Sequence, residues 1–147
     1  MLLLEKIKEI IYENNITNSY TIHETVYLLQ VMGLNVSDYR FARLSNGLFS
    51  LGLYKHLQIK KSYNNSSIKK SVQRVLIDFK HYIDNIRGNY TFETFVHTLV
   101  LLHYIKTYCS SNSQVEQIFK NSISEELYNH VIAYVPEIDK FCYAISE

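Results

Sequence analysis

Between Thr91 and Tyr108 the chain reads Thr-Phe-Glu-Thr-Phe-Val-His-Thr-Leu-Val-Leu-Leu-His-Tyr-Ile-Lys-Thr-Tyr, and this stretch constrains the fold most. Phe92, Phe95, Val96, Leu99, Val100, Leu102 and Ile105 recur at helical spacing yet spread over most of a helix circumference. A helix apolar nearly all round is buried on most sides, so other elements must pack around it. The supply of turn formers points the same way. With 4 Gly and 1 Pro in 147 residues, there are too few turn signals for an all-β fold, which needs one every ten residues or so. A chain that is 47% hydrophobic and 20% charged is neither disordered nor fibrous. Its length suits one domain. The expected fold is therefore mainly α: a compact multi-helix single domain over residues 1–147, with a minor short extended segment near residues 36–44.

The other elements follow from local pattern. Leu3, Leu4, Ile7, Ile10 and Ile11 predict a helix over 2–14. Thr21-Ile22-His23-Glu24 has the spacing of a capping box, in which threonine and glutamate each satisfy the other's amide. The helix it opens should stop at Gly33. Tyr39 and Phe41 alternate with Arg40 and Ala42, which suits an extended segment, and Ser45-Asn46-Gly47 signals a turn. Ser50 is placed to cap a short helix through Leu53 and Leu57. Ile68, Val72, Val75, Leu76, Phe79, Ile83 and Ile86 form a helical stripe that ends at Arg87-Gly88. Thr91 should cap the central helix. Ser111 with Gln114, and Ser122 with Glu125, predict two short helices. Pro136 ends the second and starts a last one toward Ile145.

Chemistry is hard to find in this pattern. The six histidines lack ligand spacing, and Cys109 and Cys142 are not a CxxC pair, so neither a metal nor a cofactor is expected. Gly47 and Gly52 enclose bulky residues and are not a phosphate loop. An enzyme would need histidine or cysteine side chains converging in a pocket. Two cysteines suit a reducing compartment. The N-terminus meets charge at once and no apolar run approaches membrane length, so the expected location is cytoplasmic. Net charge is +1, but it is uneven. Seven basic side chains fall between Lys55 and Lys80 against Asp78 alone, whereas acids dominate from Ser111 onward. Lys60, Lys61, Lys69, Lys70 and Arg74 are thus candidates for nucleic-acid contact, set against a solvated helix face. The 13 tyrosines accompany abundant Ile, Asn and Lys, a composition set by AT-rich codons. Such composition fits a low-GC bacterium or one of its phages.

One segment resembles a known family. His23-Glu24-Thr25-Val26-Tyr27-Leu28-Leu29-Gln30-Val31-Met32-Gly33, then Tyr39-Arg40-Phe41, then Gly47-Leu48-Phe49-Ser50 with Leu53 and Leu57, resembles the Panacea (SocA-like antitoxin) domain and its YwgA-like relatives. The apolar helix from Phe95 to Tyr108 and the short segments to Pro136 resemble its later helices. There are departures. His23 and Glu24 stand near a position where the family often has lysine. Leu48 replaces its turn proline, and Arg43-Leu44 stands where relatives carry tryptophan. The resemblance implies a non-enzymatic module that binds and neutralises a partner protein, either a toxin or, for a phage-borne inhibitor such as an anti-CRISPR, a host defence enzyme. In that second case it would act in the host cytoplasm. No catalytic residue carries over. Tyr39, Arg40, Phe41, Arg43, Leu48 and Phe49 are the candidate contact residues, because turn and edge positions reach a partner most easily. Inward packing of Tyr39, Phe41 and Phe49 is the competing expectation. Self-association is left open.

Overall fold

A computed structural model of the chain describes residues 2–11, 19–35, 38–58, 69–143 and 145–146. In chain order the elements are α1 (Leu2–Ile11), α2 (Thr21–Val31), β1 (Leu34–Asn35), β2 (Ala42–Leu44), β3 (Gly47–Phe49) and α3 (Leu51–Gln58). They continue with α4 (Lys70–Ile86), α5 (Phe92–Tyr108), α6 (Ser113–Asn121), α7 (Glu125–Ile132), α8 (Val135–Ile138) and β4 (Ile145–Ser146). The fold is mainly α. No helix among the described residues is long and apolar enough to cross a membrane.

The centre is α5, as its all-round apolar surface requires. It packs against α2, α4, α6, α7, α8 and β3, and buried residues run along it from Phe95 to Ile105. Its start is held by Thr91, whose Oγ1 accepts from the Thr94 N–H at 3.1 Å. Along α4, Val72, Val75, Leu76, Phe79 and Ile83 form one buried stripe. That helix packs on α1, where Leu4, Ile7 and Ile11 are buried. Each such side chain contributes roughly 1.5–3 kcal/mol relative to exposure.

Several boundaries differ from the pattern in the sequence. Thr21 does not cap α2. Tyr20 occupies the cap position without a side-chain bond, and Glu24 is buried in a different partnership, described below. Asn112 caps α6 in place of Ser111, its Oδ1 accepting from the Gln114 N–H at 3.1 Å. Ser124 caps α7 in place of Ser122, accepting from Leu127 at 3.1 Å. Pro136 falls in the first turn of α8, which stops at Ile138 rather than running toward Ile145. Residues 12–14 and Ile68 lie outside the described residues.

The extended region is smaller and better defined than 36–44. Residues 36 and 37 lie outside the described residues, and Tyr39, Arg40 and Phe41 are irregular. The strand itself, β2, pairs antiparallel with β3 in the register Ala42↔Phe49, Arg43↔Leu48, Leu44↔Gly47. Ser45 and Asn46 form the two-residue turn. A second, parallel pair joins β1 to β4. It follows Gly33, whose φ of +102° lets the chain leave α2 in a conformation costly for other residues.

Candidate functional site

The face carrying the candidate contact residues is anchored on α2. His23 Nδ1 accepts the Ser50 N–H at 3.1 Å, and its ring stacks on Phe49 with centroids 4.7 Å apart. Burial pulls the His23 pKa down, which keeps that nitrogen free to accept. One residue on, the buried Glu24 carboxylate accepts from His97 Nδ1 at 2.8 and 3.1 Å. Burial lowers the His97 pKa, but the hydrogen bond to Glu24 and its charge outweigh this, and the net shift is upward. Gly47 presses against the same carboxylate. A Cβ there would lie 3.0 Å from Glu24 Oε2, at a φ of +150° that disfavours any side chain. These contacts seat β3 inward and leave β2 outside, so Leu48 is fully buried while Ala42, Arg43 and Leu44 are exposed.

Segment 38–41 is held separately. The Gln30 amide donates to the Tyr39 carbonyl and accepts from its N–H, both at 3.2 Å, as a neighbouring strand would. Beside it opens a hollow of about 490 Å³, walled by Tyr39, Arg40, Phe41, Tyr104 and Tyr108, with Tyr27 beneath. The Tyr27 hydroxyl lies 2.7 Å from His103 Nδ1, and His103 Nε2 lies 2.8 Å from Asp139. The carboxylate only accepts, so Nε2 carries a proton. In the neutral ring Nδ1 then accepts from Tyr27. Burial, with Tyr108 and Asp139 nearby, pushes the Tyr27 pKa far up, so this hydroxyl stays protonated. The chain of groups ties α2, α5 and the end of α8 together; it does not present an activated nucleophile. At the rim, Tyr104 and Tyr108 pack 4.8 Å apart, and Tyr108 is 65% exposed. Arg40 and Arg43 are exposed, and neither forms an ion pair among the described residues.

Against β2 lies a separate groove of about 410 Å³, with Arg43, Leu44, His97, Leu101, Ile118 and Phe119 among its walls. No protein-family model, curated protein or solved structure matches the chain. The face is therefore read from its own chemistry.

Of the six candidate contact residues, two require correction. Leu48 is fully buried under the hairpin, and Tyr39 is 8% exposed with its hydroxyl 2.6 Å from His56 Nδ1. Neither is free to meet a partner. Phe41 and Phe49 are half-buried, the first edge-on to Tyr27 at 5.4 Å. Arg40 and Arg43 stand fully on the surface. Of the basic candidates, Lys60 and Lys61 lie outside the described residues, whereas Lys69, Lys70 and Arg74 are exposed around the start of α4. Cys109 and Cys142 are free thiols. Among the described residues no three His, Cys, Asp or Glu side chains gather as a metal would need. The sequence reading missed Tyr104 and Tyr108. Their i,i+4 spacing at the end of α5 puts both on one helix face, a signal hidden by treating tyrosine as compositional.

Proposed function

We propose that the chain is a non-enzymatic protein-binding module that neutralises a partner protein, as an antitoxin or a phage-borne inhibitor of a host defence enzyme does. One observation carries this reading. Unpaired Arg40 and the exposed Tyr108 wall an aromatic hollow on a firmly anchored scaffold, and unpaired Arg43 stands exposed on the neighbouring β2. Arginine and tyrosine dominate the energetics of protein interfaces, because each brings large contact area together with directional polar groups. The resemblance to Panacea domains, which neutralise unrelated toxins, supports the same reading.

The test is capture of the partner from cells that encode the chain, followed by co-expression to see whether toxicity is relieved. The double reversal Arg40→Glu with Arg43→Glu should abolish capture and relief while leaving the thermal transition in place. Capture undiminished by the double reversal would remove this face from the mechanism.

A second reading, nucleic-acid binding, draws on Lys69, Lys70 and Arg74. These three are exposed and form no ion pair among the described residues, and Lys70 and Arg74 border a concavity with Tyr143. It requires an affinity for duplex or single-stranded probes that falls steeply with salt. A flat salt response ends it.

A further inference from the structure

We propose that the outer edge of β2 accepts an added strand: an extended, acidic segment of a partner protein, with an apolar side chain seated in the adjoining groove. The inference deepens the protein-binding reading and rests on it.

The edge is open. Ala42, Arg43 and Leu44 are all exposed, β3 occupies one side of the strand, and no backbone hydrogen bond reaches the other among the described residues. Unpaired strand edges are templates for further pairing unless something blunts them. Main-chain hydrogen bonds then provide affinity and flanking pockets provide selectivity. Here the pocket is present. Leu44 forms one wall of the groove, and α6 forms the other. That helix has Val115, Ile118 and Phe119 on its apolar side yet buries no residue fully, and Ile118 is 70% exposed. The uncovered apolar face of α6 and the unpaired edge of β2 meet in one concavity.

Charge selects the occupant. Arg43 lies in the strand itself and Arg40 just before it, and neither is ion-paired. The acids nearby are mostly committed. Glu24 is held by His97, and Glu116 by Lys106 at 2.8 Å. Asp38 lines the hollow with Arg40 but is not bonded to it. A carboxylate arriving on the added strand would therefore meet the available Arg43 guanidinium, which also lines the groove. A second copy of the chain suits the edge poorly. Pairing two β2 edges about a twofold axis brings Arg43 of each copy toward the other, and like charges across a strand pair are destabilising.

Random linear peptides displayed on phage and panned against the full chain test the idea. Enriched peptides should alternate apolar residues with Asp or Glu. In complex with one such synthetic peptide, hydrogen exchange should slow at the amide within 42–44 that points away from β3. Ile118→Lys should weaken its binding by about tenfold or more, the loss expected when an interface anchor is spoiled. Ile77→Ser, on the exposed side of α4 and outside both concavities, should leave it unchanged. Absence of any enriched peptide overturns strand addition. Peptides that protect 38–41 and 104–108 instead overturn it while leaving the protein-binding reading intact. Protection of that same outward amide in a dimer without peptide overturns it in favour of self-pairing. Both variants must retain the parental thermal transition. If Ile118→Lys does not, Ile118→Ser replaces it.

Discussion

His97 and His23 answer pH with opposite sign, although they sit on the same face. His97 has its pKa raised above 6.5, because the Glu24 hydrogen bond and charge overcome burial. Its contribution to stability is complete below its unfolded pKa and is lost as pH rises through the raised value. His23 is shifted down by burial. Its contribution is present above the unfolded pKa and is lost as pH falls through the lowered value. We predict that the stability advantage of the parent over His97→Gln is largest near about pH 6 and shrinks toward about pH 9, measured by urea unfolding. A difference independent of pH would refute the pairing. This partnership was not legible in the sequence. Thr21 and Glu24 have capping-box spacing, and nothing local shows that Glu24 turns instead to an imidazole 73 residues away. The signal that exists is weaker: polar His97 sits within the apolar run of α5, where a buried polar group must find a partner.

At the scale of the element, end chemistry was read well where it is local. Thr91 and Ser50 cap α5 and α3 as their positions dictate, since a cap needs only its own hydroxyl and an amide three residues on. Where several polar residues lie close together, local pattern does not single one out: Asn112 caps α6 in place of Ser111, and Ser124 caps α7 in place of Ser122. Thr91→Ala and Ser124→Ala are each expected to lower stability by about 1 kcal/mol in chemical denaturation, with the m-value unchanged. Ser122→Ala should cost less, because its hydroxyl donates to the Phe119 carbonyl on an exposed helix end. The interaction face was legible in part for the same physical reason. A charged arginine between two aromatics is costly to bury, so Arg40 is expected outward; it is exposed, although its segment is irregular and not strand. The burial of Leu48 was not, because it depends on β3 being the inner strand of the hairpin, and contacts with distant α2 and α5 decide that.

Across the whole molecule, the line from Tyr27 through His103 to Asp139 joins three parts of the chain by side chains alone. Tyr27→Phe removes the donor to a buried imidazole nitrogen and should cost about 1–3 kcal/mol. Combined with Asp139→Ala in a double-mutant cycle, the two losses should be non-additive by about 0.5 kcal/mol or more. Strict additivity would mean that the two bonds act independently. The parallel pair of β1 with β4 is another long-range tie, reinforced by the Tyr143 N–H on the Met32 carbonyl at 3.0 Å. Its timing differs from that of the rest. During synthesis on the ribosome, α1, α2 and the hairpin emerge well before residues 145–146 exist. A nascent chain must therefore hold Leu34 and Asn35 without their native neighbour until translation has passed nearly every other element, and a polypeptide stalled before that point carries this seam unsealed.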